Sequence, residues 1–186
     1  KDILNILFKN NLNEEIKGVY LFGSFARGDY DFTSDIDVLV ITHNVNRIIK
    51  QNNYEILLVS EDSFSKNLQT NLTYLSILKE LKIIVNKELI RGYQTKKIKL
   101  NFKKNLIEIA KIVKINEESM DNCIKSQKNI PDGIVYSIIL RLKELYLIKC
   151  LLSNKPYSKK DFLKITGEKT YSAYGRVKRN EKELNN

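Results

Sequence analysis

Histidine is almost missing: His43 is the only one in 186 residues. A single imidazole leaves little room for a histidine-based zinc site or a histidine-dependent hydrolase. Cysteine is nearly as scarce. Cys123 and Cys150 lack metal-ligand spacing and fall in helix-like segments, so reduced core residues are expected. Nowhere do about 18 apolar residues run together, and no signal-peptide pattern is present. The expectation is therefore a cytoplasmic protein without a membrane partner.

What is present is an ordinary globular composition. Apolar residues make up 42% and charged residues 29%, enough for a core in one domain or two small ones. The net charge of +10 is placed unevenly. Residues 1–96 carry 12 basic and 12 acidic side chains, whereas residues 97–186 carry 20 and 10. Lys159, Lys160, Lys164, Arg176, Lys178 and Arg179 crowd toward the end. A chain rich in Lys, Asn and Ile explains abundant lysine, but less well a difference between halves. An anionic partner such as RNA is the functional alternative.

Along the first half, strand and helix patterns alternate. Residues 2–12 space Ile3, Leu4, Ile6, Leu7 and Leu12 for one face of a helix, with Asp2 as a cap. Strands are expected at 18–24 (ending in a tight Gly turn), 35–42, 54–60 and 81–85. "SFARG" starts a short helix, "NRIIK" reads as a brief helix, and Ser60 caps a helix that continues through 74–80. This alternation indicates an α/β sheet. "KELIRGYQTKK" reads as a junction, and no strand pattern follows it. Residues 132–154 form a long apolar helix entered at Pro131, Ser158 caps a short helix, and "YSAYGRVKRNEKELNN" forms a basic, fraying one. The expected organisation is a domain at 1–96 and a basic helical domain at 97–186, for acceptor binding or dimerisation.

The chemistry concentrates in "GSFARGDYDFTSDIDVLV", residues 23–40. At the two-residue period of a strand, Asp35 and Asp37 point to one face. Two such carboxylates repel each other unless a cation or water lies between them. Gly23 lets a ligand approach the backbone, and a helix starting at Ser24 would favour an anion such as phosphate. Hard cations such as Mg2+ take carboxylate and phosphate oxygens together, so the two elements complement each other. A solvated pair of loop-end acids is the plain alternative.

Ten residues separate Ser24 from Asp35. Gly23, Ser24, Ala26, Arg27, Gly28, Ser34, Asp35 and Asp37, with an apolar strand on each side, resemble the signature of the DNA polymerase beta-like nucleotidyltransferases, chiefly the minimal type. The likeness covers about residues 15–90. It implies a mixed-sheet α/β (α+β) nucleotidyltransferase fold, here followed by an all-α domain. It further implies transfer of a nucleoside monophosphate from an NTP, with ATP expected, to an acceptor hydroxyl, releasing pyrophosphate with two Mg2+ ions. By that resemblance Gly23, Ser24, Arg27 and Ser34 bind nucleotide, and Asp35 and Asp37 hold metal. Glu55 is the best match to a third carboxylate, a further metal ligand that takes the hydroxyl proton. Arg27 has a second reading, as an ion-pair partner of Asp29 or Asp31.

Three alternatives stay open. An antitoxin-type transferase would modify a partner protein or RNA. Residues 97–186 contain no histidine, so they lack the Arg-x4–6-His motif of a fused HEPN-type ribonuclease toxin. A non-catalytic nucleotide- or protein-binding module would not need both carboxylates. An aminoglycoside-modifying enzyme is disfavoured, because its cationic acceptor would meet a strongly basic module. Tyr136, Tyr146, Tyr157, Tyr171 and Tyr174 either stack on bases or pack helices together.

Overall fold

The computed structural model describes residues 2–32, 34–96, 98 and 100–178. They divide into two compact units, split between Leu100 and Asn101.

The first unit begins with α1 (Asp2–Lys9) and β1 (Ile16–Phe22), then α2 (Gly23–Arg27), β2 (Ile36–Thr42), β3 (Arg47–Gln51) and β4 (Tyr54–Ser60). Helices α3 (Glu61–Thr70) and α4 (Leu72–Glu80), strand β5 (Lys82–Val85) and helix α5 (Lys87–Thr95) complete it. The five strands lie in the order β3-β4-β2-β1-β5. Only the β2–β4 pair is parallel; β1–β2, β1–β5 and β3–β4 are antiparallel, so the sheet is mixed.

Strand alternation gives the sheet two faces. On one, Val19, Val38, Val40, Ile56 and Leu58 meet Ile6, Leu7 and Leu12 from α1 and the turn after it. The apolar stripe at the start of the chain is thus the cover of this face, and cutting Leu7 to Ala would cost about 2–5 kcal/mol. The other face carries Tyr20, Asp37, Leu39 and Glu55, with α3 against β2 and β4 and α5 against β1. Ser60 caps α3 by accepting from the Ser63 amide, as its sequence position suggests.

Two segments depart from the expected pattern. Residues 47–51 form strand β3 instead of a brief helix. Asn52 takes a left-handed conformation (φ 54°) and turns the chain so that Arg47–Gln51 pairs along β4. Ile49 then reaches the α1 core, while Ile48 and Lys50 face the opposite way. The expected junction at 87–97 is helix α5, which buries Ile90 and Tyr93. Asn86 (φ 62°) starts it, accepting from the Leu89 amide and donating to the Lys17 carbonyl, so a capping asparagine ties the helix to β1.

The second unit is helical: α6 (Lys103–Lys125), α7 (Asp132–Leu152), α8 (Lys159–Thr166) and α9 (Glu168–Lys178). Leu100 precedes α6. Pro131 leads into α7, and Ser158 caps α8 through the Asp161 amide. Ile139, Tyr157, Phe162 and Tyr174 are buried together, with Tyr136, Tyr146 and Tyr171 packed around them. Tyr136 stacks on Tyr174 at 5.1 Å between ring centres, and burial pushes the Tyr174 phenol up to about 12. These rings are the core of the unit, so packing, not base stacking, accounts for them.

Arg176, one of the basic residues near the end, makes a two-pronged pair with Asp132 at the start of α7. Its Nε donates to Oδ2 at 2.9 Å and its Nη2 to Oδ1 at 3.1 Å. Arg179 lies outside the described residues. Both cysteines are free thiols, Cys150 buried and Cys123 half-buried. No described helix is long and apolar enough to cross a membrane.

Candidate functional site

The site is built where β1 ends and β2 and β4 begin. Gly23 opens α2 with φ +70°, in the left-handed region that favours glycine. Its Cα faces the Asp37 side chain so closely that a Cβ built there would lie 2.8 Å from Asp37 Cγ. The two halves of the motif are therefore in physical contact. Gly28 (φ 83°) closes α2, its amide donating to the Ser24 carbonyl at 2.8 Å.

Asp37 and Glu55 are register partners in the parallel β2–β4 pair. Direct partners on adjacent strands share a face, so both carboxylates emerge on the same side of the sheet. Asp35 stands exposed just before β2. Ser34 shapes the loop leading there: its Oγ accepts from the Asp31 amide at 2.9 Å and donates to Asp31 Oδ1 at 3.2 Å. The Ile36 amide donates to the Asn53 carbonyl at 2.7 Å, which fastens the acidic segment to the β3–β4 turn.

A cation that sequence reasoning missed stands among these acids. Lys50, opposite Glu55 in the β3–β4 ladder, places Nζ 2.9 Å from Glu55 Oε2. Its pKa is raised, first by the hydrogen bond and charge of Glu55, with Asp35 and Asp37 adding to the effect. The signal was present in the sequence: a hairpin turning at Asn52-Asn53 pairs Gln51 with Tyr54 and Lys50 with Glu55. It was hidden by reading 47–51 as a helix.

Glu80, at the end of α4, is a second residue missed. It is nearly buried, accepts from the Gly23 amide at 3.2 Å and pairs with Arg27 Nη1 at 2.8 Å. Burial pushes its pKa up against the lowering pull of Arg27 and the Gly23 amide. Arg27 also donates to Asp29 at 3.2 Å. Burial opposes the Arg27 charge, but Asp29 and Glu80 outweigh it and hold its pKa above the ordinary value. Arg27 thus braces α2 against α4 through Glu80, a contact across 53 positions for which no local pattern exists.

Asp35, Asp37 and Glu55 offer carboxylate oxygens alone, the donor set of a hard divalent cation such as Mg2+. Among the described residues, no three His, Cys, Asp or Glu side chains are already gathered as a metal-binding group. The Lys50 ammonium contributes positive charge among these acids. Oxygen donors around a side-chain cation fit a site for a hard metal ion.

A family profile described as "Nucleotidyltransferase domain" matches residues 1–165. Two Methanocaldococcus jannaschii chains, each named "Putative protein adenylyltransferase", are similar to this one. The first is 36% identical over 81 residues, covering 38% of this chain and 77% of that relative. The second is 49% identical over 41 residues, covering 22% of this chain and 40% of that relative. Among solved structures, a nucleotidyltransferase-like protein from Exiguobacterium sibiricum aligns over 97% of this chain and 67% of its own, at 14% identity and a TM-score of 0.36.

Proposed function

This chain belongs to the nucleotidyltransferase-domain family, and from that premise we propose that it transfers AMP from ATP to a hydroxyl group of a protein. The observation that carries the reading is the contact of Gly23 with Asp37, whose register partner is Glu55. It brings an approachable backbone and acidic side chains to one point of the sheet.

In this reading Asp35, Asp37 and Glu55 hold Mg2+, and Gly23 and Ser24 lie beside the triphosphate. When bound, Mg2+ supplies positive charge that screens the triphosphate and acidifies the acceptor hydroxyl. The acceptor oxygen bonds to the α-phosphorus, the α–β phosphoanhydride breaks, and pyrophosphate leaves with that electron pair. Glu55 takes the hydroxyl proton. Ser34 acts by shaping the approach to Asp35, and Arg27 by bracing α2. The helical unit serves as the acceptor-binding part.

A protein acceptor is favoured by the names of the Methanocaldococcus jannaschii relatives. The features that suggested RNA are also engaged elsewhere: Arg176 pairs with Asp132, and the tyrosines fill a core. The test is incubation with each α-labelled NTP, Mg2+ and a cell extract. The reading expects label from ATP in a protease-sensitive, nuclease-resistant species. Nuclease-sensitive label would move the acceptor to RNA, and no label from any NTP would overturn the transferase assignment.

A further inference from the structure

Lys50 is a basic residue beside the candidate site to which the proposed reaction gives no role. It sits on the edge strand β3, on the same sheet face as Asp37 and Glu55. Its side chain is 71% exposed, yet its ammonium is bonded to Glu55 and lies within the electrostatic reach of Asp35 and Asp37. An exposed lysine has a flexible four-carbon stem, so it can leave a carboxylate without disturbing the strand beneath it.

Resting on the reading that Asp35, Asp37 and Glu55 hold the metal, we propose that Lys50 is a tethered counter-cation of this cluster: it holds Glu55 in the metal-free protein and competes with the divalent ion for that carboxylate. The ammonium neutralises part of the negative charge while no metal is bound, and metal entry exchanges one cation for another at Glu55. Metal affinity is then set by a difference between two cations, and Lys50 lowers it. An ordinary cross-strand surface pair contributes little to stability and would leave metal binding untouched. That contrast is measurable.

The test is titration of the full chain with Mn2+, without nucleotide, counting free Mn2+ by its paramagnetic resonance signal. Removing one positive charge at this exposed position should tighten Mn2+ binding about three- to tenfold in Lys50→Met. Lys50→Arg, which keeps the charge, should stay within about twofold of wild type. In a Glu55→Gln background the gain from Lys50→Met should shrink, because the contested carboxylate is gone. Equal or weaker binding by Lys50→Met overturns the proposal, as does a gain undiminished by Glu55→Gln. Mn2+ binding that survives Asp37→Asn unchanged, or is absent from wild type and Lys50→Met alike, would instead overturn the metal reading beneath it.

Discussion

The Asp37 carboxylate occupies the space into which any side chain at residue 23 would have to grow. Gly23 therefore satisfies two demands at once, a left-handed φ of 70° and close approach by an acid from the neighbouring strand.

Gly23→Ala tests that contact. The left-handed conformation and the clash together should cost about 1–3 kcal/mol of stability. Because the substitution displaces Asp37, AMP transfer should fall by far more than the melting temperature suggests. Labelled-AMP incorporation alongside thermal melting checks this, and near-normal activity would show that Asp37 need not lie against the turn.

Asp37→Asn removes charge without removing bulk. Transfer should be abolished while the fold remains, and the melting temperature should hold or rise as carboxylate repulsion is relieved. ATP should stabilise the wild type only with Mg2+ present, and this stabilisation should vanish in the variant. Unchanged turnover would remove Asp37 from the catalytic assignment.

For Glu55→Gln, loss of a general base predicts a fall in turnover of about 10²–10⁴-fold with most ATP affinity spared. Single-turnover kinetics with ATP binding measured in parallel separates the two effects. Wild-type turnover would mean that another group, or water, takes the proton.

Glu80 gives a pH signature. Burial raises its pKa in the folded chain, so between the unfolded and folded values the native state holds the extra proton. Stability from this group is full below the ordinary carboxylate range and is lost as pH rises through the raised value. Glu80→Gln should abolish that slope, so the stability of wild type relative to the variant should decline as pH rises above the ordinary carboxylate range. Urea unfolding across that rise measures it, and a pH-independent difference would contradict the buried titration.

In the helical unit, Arg176→Ala should cost about 1–2 kcal/mol by removing the two-pronged pair with Asp132. Lys160→Ala, at an exposed position, should stay within about 0.5 kcal/mol of wild type. Equal effects of the two would place Arg176 among the solvated charges after all.

The legible parts were those whose cause is local. Apolar spacing in residues 2–12 announces a helix with one buried face, and α1 buries Ile6 and Leu7. A glycine ending an apolar run announces a tight turn, and α2 begins there. Residues 47–51 misled because five residues with two adjacent isoleucines fit either period. Only pairing with β4 makes them a strand.

Two acids one residue apart at a strand start, ten residues after Gly-Ser, were determined by the sequence alone, because strand alternation and glycine's lack of a Cβ act within a few residues. The partners of those residues were decided by tertiary structure. Parallel pairing sets Asp37 beside Glu55, and the hairpin delivers Lys50 to the same carboxylate. Folding of α4 brings Glu80 to Gly23 and Arg27, and α9 brings Arg176 to Asp132. Electrostatic partners separated by tens of positions leave no periodic trace, since their pairing depends on register and packing and not on neighbours in the chain.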